Sequence, residues 1–283
     1  MFKFHGKRRI GITVWETTRI PKEWVAPLNE LDDVWTVSKH SKKSIEASGV
    51  DHDVKIVNEG VDTSVFAPFV KPADRPVDDF VFFSVFKWEK RKSPVTLIQA
   101  FAEEFKDGER ARLILQCFNP FMQNFNPYEA MFSMNLPSHA PIKIIPPVAK
   151  RSDLARYYKT ADCFVFPTKG ESWGLPAMES MAVGVPVITT NWGGTTEFVS
   201  KDNGWLIDVE SMEEPNDAMF FKPDMFDKGN EWAVPSKKHL RELMRYAFEH
   251  KDECVKKGDN AASLVEKNYS WESVTKVTKK LLK

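Results

Sequence analysis

The chain is poor in cysteine, carries no excess charge of either sign and has no long apolar run. Each shortage removes a class of protein from consideration. Cys117, Cys163 and Cys254 are its three thiols. They are odd in number, far apart and free of any C-x-x-C, which speaks against a disulfide framework or a structural zinc site and fits a reducing cytoplasm. The 40 basic residues balance 40 acidic ones, so no global field draws the protein to nucleic acid or to an anionic surface. Any charge effect is local. No segment approaches the ~20 apolar residues of a membrane span, and the opening MFKFHGKRRIGITVW lacks the apolar stretch of a signal peptide. The expected location is the cytoplasm, with a peripheral contact to the membrane face left open. His5, His40, His52, His139, His239 and His250 show no metal-ligand spacing, and no internal repeat is present.

What is there is a regular alternation of elements. At 283 residues the chain can bury one large core or two smaller ones. Residues 8–15 read as a short strand, 28–49 carry helical stretches around DDVWTVS, and 54–62 is a strand running into a turn. The stretch APFVKPADRPVDD, 67–79, holds three prolines and several charges and reads as a connector. The expected organisation is therefore residues 1–66, a linker 67–79, and a domain 80–283. In that domain DFVFFSVF, ARLILQCF, IKIIPPV (142–148), CFVFP and VPVITT are strands. Ser93 and Pro94 open a helix as N-cap and N1, with Leu97, Ile98, Phe101, Ala102 and Phe105 as its buried stripe. Ser152 caps a helix through Tyr158, Pro176 opens another that closes near Gly184, and Ser236 starts a third with Leu240, Leu243, Met244, Ala247 and Phe248 on one face. Two more helical segments run to Leu282. Residues 119–140 hold a short helix around Tyr128 to Met134, and 210–230 read as a long loop. Strands alternating with such helices predict an α/β fold, a doubly wound parallel sheet covered on both faces.

The most informative run is GESWGLPAMESMAVGVPVITT, 170–190. In a doubly wound sheet, ligands gather at the carboxyl ends of the strands, where loops lead into helix N-termini. Gly170 and Gly174 permit a tight path, and Pro176 fixes the helix start. The amides of Trp173, Gly174 and Leu175 then face outward with the positive helix end behind them, a seat for phosphate or sugar hydroxyls. Glu171 lies over the loop and Glu179 on the helix's first face, so both reach one extended ligand. Ionised carboxylates accept from the hydroxyl pairs of ribose and hexose rings. Alone, the two acids would read as a solvated loop residue and a helix-start charge. They have company: Lys87 ends the first strand of the domain and Lys92 precedes its first helix, on the same sheet edge, and two cations there suit a diphosphate leaving group. Lys90 and Arg91 read as a solvated basic turn. Gly193 and Gly194 make a turn on that edge, followed by Thr195 or Thr196 as a cap.

Together WETTRIPKEWV, DDVWTVSKHSKKSIEASGV, VKIVNEGVD, RKSPVTLIQAF and DCFVFPTKGESWGLPAMESMAVGVPVITTNWGG, with the helical region from Trp232, resemble the group 1 family of retaining glycosyltransferases. That family has the GT-B fold of two facing Rossmann-like domains. Glu171 and Glu179 match its E-x7-E pattern. The resemblance implies that Glu171 contacts donor-sugar hydroxyls and Glu179 the ribose. It implies that the loop of Gly170, Ser172, Trp173, Gly174 and Leu175 supports sugar and diphosphate, that Val148 lies near the nucleobase, and that Lys92 is the phosphate lysine. Lys87 stands where the family usually has arginine, and Glu59 where it has Asn or His. The implied chemistry moves a hexosyl group from a UDP-, GDP- or ADP-sugar to a glycan or glycolipid hydroxyl with retention, using no cofactor and no bound metal, with Glu171, Lys87 and Lys92 as the catalytic groups. Family members carry a whole acceptor domain of which residues 1–66 match only the final portion. A fragment, a split enzyme with its first half on a separate chain, or a degenerate paralogue all fit that departure. A nucleotide-sugar epimerase shares the fold and lacks the paired-glutamate loop. A nucleotide-sugar-binding or partner-binding module inactive without a separate half is the non-enzyme rival.

Overall fold

The structure is a computed structural model and describes residues 6–75, 78–217, 220–227 and 229–283. His5, residues 76 and 77 of the connector, and residues 218, 219 and 228 of the expected long loop lie outside the described residues.

A small parallel sheet comes first, built from β1 (Ile10–Ile12), α1 (Lys22–Asn29), β2 (Asp33–Thr36), α2 (Lys39–Ala47) and β3 (Lys55–Ile56), in the order β1-β2-β3. The helices expected within 28–49 flank the DDVWTVS run. The run itself is β2, with Val34 and Trp35 buried, as suits β-branched and aromatic side chains on a pleated surface.

The larger sheet follows: β4 (Phe80–Lys87), α3 (Pro94–Glu104), β5 (Ala111–Phe118), α4 (Pro127–Phe132), β6 (Ile142–Ile145), α5 (Arg151–Thr160), β7 (Cys163–Phe166), α6 (Leu175–Ala182), β8 (Val187–Thr190) and β9 (Gly204–Ile207). Its pairs are all parallel, in the order β6-β5-β4-β7-β8-β9. The central strand shows why both faces are covered. Val81 and Phe83 enter one core cluster while Phe80, Phe82 and Phe86 enter the other, the two-residue alternation of a strand buried on both sides. The α3 stripe of Leu97, Ile98, Phe101 and Ala102, with Phe105 just beyond it, is fully buried.

Several local expectations change. β6 stops at Ile145, because Pro146 and Pro147 bring no N–H to a ladder. Ser152 does not cap α5; Lys150 occupies the N-cap and Ser152 lies inside the helix. Pro176 is the second residue of α6, after Leu175, with Gly174 at the N-cap. Ser93 is the α3 N-cap but has left-handed backbone, φ 51°, and its side chain makes no cap bond. The stretch expected to be a loop contains β10 (Val209–Glu213), paired antiparallel with β11 (Trp232–Pro235). Phe221 and fully buried Trp232 pack with Trp15, Val34 and Ile45, so this excursion completes the core under the small sheet.

Helices α7 (Lys237–Glu249), α8 (Lys251–Tyr269) and α9 (Trp271–Leu281) close the chain. The junction of the last two returns to the start: Val61 N–H donates to Tyr269 O at 2.9 Å, and Val61 bridges Ser270. Among the described residues no helix is long and apolar enough to cross a membrane.

Candidate functional site

The strand order reverses between β4 and β7, and at such a switch point the loops leaving the carboxyl ends diverge and open a crevice. The β4 loop carries Lys87, Arg91 and Lys92, and the β7 loop carries Glu171. A 3-10 turn over Lys90–Lys92 swings both Arg91 and Lys92 inward. The loops are stitched together by Lys169 N–H donating to Arg91 O and by an Arg91 guanidinium nitrogen donating to Gly170 O, both at 2.7 Å.

At the centre Lys92 Nζ lies 2.5 Å from Glu171 Oε1, and Arg91 reaches the same oxygen at 3.2 Å. Arg91 also faces Glu16 and Glu89, each at 3.4 Å. Glu171 is 6% exposed. Burial alone would raise its pKa, but Lys92 and Arg91 outweigh it and hold the carboxyl below the usual range. Burial lowers the Lys92 pKa, and Arg91 beside it lowers it further. Burial opposes the charge on Arg91 too, yet the surrounding Glu171, Glu16 and Glu89 raise its pKa. Both cations share Oε1, and among the described residues Oε2 has no partner, so one oxygen stays available to a ligand hydroxyl. Half-buried Glu59 adds a fourth carboxylate, its pKa raised by burial and by Glu171.

The loop around this cluster is tight. Gly193 has φ 87°, and Gly194 N–H donates to Glu171 O at 2.7 Å. A Cβ on Gly194 would meet Ser172 O at 2.0 Å, and one on Gly170 would meet Glu16 O at 2.3 Å. These glycines are needed for backbone contact, a stronger requirement than the tight turn expected from sequence. Gly174, at φ 100°, turns the chain into α6, and among the described residues the amides of Trp173, Gly174 and Leu175 donate no hydrogen bond. The Trp173 indole is buried against Phe198 and Tyr269. Its side chain is core, and its amide is what the loop offers. Ser172 is half-buried.

Glu179 sits apart from Glu171, in a second cluster. Arg151 reaches its Oε1 at 2.5 Å and Tyr158 O–H donates to Oε2 at 3.0 Å. Burial raises the Glu179 pKa more than Arg151 and Tyr158 lower it. Val148 is half-buried in the loop from β6 to this helix α5. Lys87 is not part of the Glu171 cluster. Its ammonium lies 5.2 Å over the Phe121 ring, and it lines, with Arg91, a cavity of about 710 Å³ toward Trp15 and Trp24.

Arg91 is the principal residue that the sequence reading misplaced: the expected solvated side chain is only 12% exposed and lies among three carboxylates. Arg151 and Tyr158 were missed as partners of Glu179, although their seven-residue spacing puts them on one face of α5, two turns apart.

The family model described as Glycosyl transferases group 1 matches residues 78–220. A D-inositol 3-phosphate glycosyltransferase of Streptosporangium roseum is 35% identical over 157 residues, covering 52% of this chain and 36% of that protein. The chain thus spans about a third of that relative's length. Among solved structures, the sucrose-phosphate synthase of Thermosynechococcus elongatus superimposes with a TM-score of 0.70 at 19% identity, covering 92% of this chain and 59% of the other. Anabaena HepE in complex with UDP-glucose superimposes with a TM-score of 0.70 at 17% identity, covering 91% and 65%. These likenesses establish a GT-B type of α/β fold.

Proposed function

The chain belongs to the glycosyl transferases group 1 family, and from that premise we propose that it is the donor-binding portion of a retaining transferase that moves a hexosyl group from a nucleoside-diphosphate sugar to a glycan or glycolipid hydroxyl. The single observation that carries this reading is Glu171 at the switch point, ionised by Lys92 and Arg91 yet with Oε2 unengaged among the described residues.

In this reading Glu171 Oε2 accepts from hydroxyls of the donor sugar. The unengaged amides of Trp173, Gly174 and Leu175, backed by the positive end of α6, take the sugar and diphosphate oxygens. Lys92 turns from Glu171 toward the diphosphate as charge develops on the leaving group, while Arg91 stays and keeps Glu171 neutralised. Lys87 supplies a second cation from the cavity side, so that protein charges fill the role a divalent ion has in other transferases. Glu179 binds the ribose with the lone pairs that Arg151 and Tyr158 leave, and the backbone near Val148 borders the base. The acceptor oxygen bonds to the anomeric carbon on the face the diphosphate leaves, as the carbon–diphosphate bond breaks and the hydroxyl proton passes to the departing diphosphate, with no covalent enzyme intermediate. Action at the cytoplasmic side of a membrane, and a separate chain supplying the acceptor half, belong to the same proposal.

HepE was solved with UDP-glucose, which makes UDP-sugars the first donors to try. A thermal-shift panel of UDP-, GDP- and ADP-sugars is the test. Stabilisation by one base series supports the reading, and no shift with any of them overturns it. Donor binding without hydrolysis or transfer favours the binding-module alternative.

A further inference from the structure

We propose that a second cavity beside the donor site holds a neutral sugar unit of an oligosaccharide acceptor; this rests on the reading above that the chain acts on a glycan. The cavity, about 520 Å³, lies where the loops after β4 and β5 meet Asn216 and Phe220, and its size suits a small ligand.

Its wall is aromatic. The rings of Trp88 and Phe125 meet at 5.3 Å and 50°, and Phe220 packs edge-on against Phe121 at 4.9 Å. Two rings at that angle form a corner and leave no parallel slot for a flat base. The C–H face of a pyranose packs on either ring.

Ser93 supplies the polar signal. It lines the cavity at the N-cap of α3, is 4% exposed, and among the described residues its Oγ is buried without a hydrogen-bond partner. Buried hydroxyls are normally satisfied, and a ligand hydroxyl entering the cavity completes this one.

Charge decides the ligand class. Among the described lining residues both cations are engaged: Lys90 Nζ donates to Asn216 O at 3.0 Å, and Lys169 pairs with Glu213. Glu89 lines the same space, and its carboxylate already faces Arg91 at 3.4 Å. A phosphate entering there meets no unpaired cation among the described lining residues, whereas the hydroxyls of a neutral sugar need none.

The site adjoins the reaction side. Glu89 and Phe220 also line the cavity that holds Lys87 and Arg91. A glycan whose acceptor hydroxyl lies in that cavity therefore extends past Phe220 into the corner at Trp88, and the acceptor is an oligosaccharide of at least two units.

Calorimetric titration of the full chain with maltotetraose, cellotetraose and chitotetraose, beside glucose, N-acetylglucosamine and UDP, tests this. At least one tetrasaccharide is expected to bind tenfold or more tightly than its monosaccharide. Trp88→Ala and Val95→Glu should each cost tenfold or more of that affinity and leave UDP binding unchanged; Val95 is 44% exposed at the cavity mouth, so its variant spares the core. Absence of tetrasaccharide binding, or binding that survives both variants, overturns the proposal. Failure of UDP to bind, with variant-sensitive tetrasaccharide binding intact, overturns the donor reading and supports this one.

Discussion

Lys92 Nζ lies 2.5 Å from Glu171 Oε1, with both side chains almost out of solvent. Two charges this deep in a protein persist only as mutual partners, because each alone carries a large desolvation cost. Lys92 and Arg91 hold the Glu171 carboxyl below its usual pKa at the crevice, and Glu171 offsets part of the lowering that burial and Arg91 impose on Lys92.

Glu171→Gln should therefore act twice. It removes the counter-charge of Lys92 and one of those on Arg91, a loss of ~3 kcal/mol in stability that urea denaturation would read. It should also weaken UDP-glucose at least tenfold more than UDP, since only the sugar meets Oε2. Equal loss for both ligands would remove the sugar role from Glu171.

Gly194→Ala places a Cβ 2.0 Å from Ser172 O, so the 171–173 backbone must move. Donor affinity should fall at least tenfold with a lowered Tm. Gly108→Ala is the control: φ there is also positive, 87°, but nothing lies within 4 Å of the added Cβ, and only backbone strain of about 1 kcal/mol is expected. Similar behaviour of the two variants in donor binding would contradict the packing account.

Acid stability should depend on His40. Burial lowers its pKa from 6.5 to about 4, and its ring packs on Trp192 at 4.4 Å. The unfolded chain binds the proton first, so the stabilisation is complete above the unfolded pKa and is lost as pH falls from 6.5 to about 4. The slope is ~1.4 kcal/mol per pH unit and the total ~3 kcal/mol. His40→Phe should flatten that part of a stability–pH curve. An unchanged slope would show that His40 titrates normally.

Glu179 shifts the other way, its pKa raised chiefly by burial. Ribose binding calls for the ionised form, so UDP-glucose affinity should rise as pH increases through that raised pKa. A sugar-linked diphosphate has no titration of its own near neutrality, which isolates the protein group. Glu179→Gln should bind more weakly and show a flatter profile. A slope that persists in this variant would assign the titration elsewhere.

The alternation of strands and helices was legible because β4 and α3 are long and strongly patterned. Strands β1 and β3 were over-read, since three residues at Ile10–Ile12 and two at Lys55–Ile56 carry little pattern. The β10–β11 hairpin was hidden because its strands are far apart in sequence, and Trp232 reveals its role only when it meets Trp15 and Phe221 across the fold. The glutamates were found by spacing. Arg91 was not, because three consecutive basic residues look alike until a 3-10 turn decides which point inward.

The central claim is that the Lys92 and Glu171 pair is the seat of a nucleotide-sugar diphosphate and its sugar. Titration of UDP-glucose into the wild-type chain and into Lys92→Met tests it most directly, with UDP and uridine alongside. The account predicts saturable binding of UDP-glucose and UDP, a loss of at least tenfold for both in Lys92→Met, and little change for uridine, which has no phosphate. Binding of UDP-glucose by a folded Lys92→Met chain with wild-type affinity would contradict it.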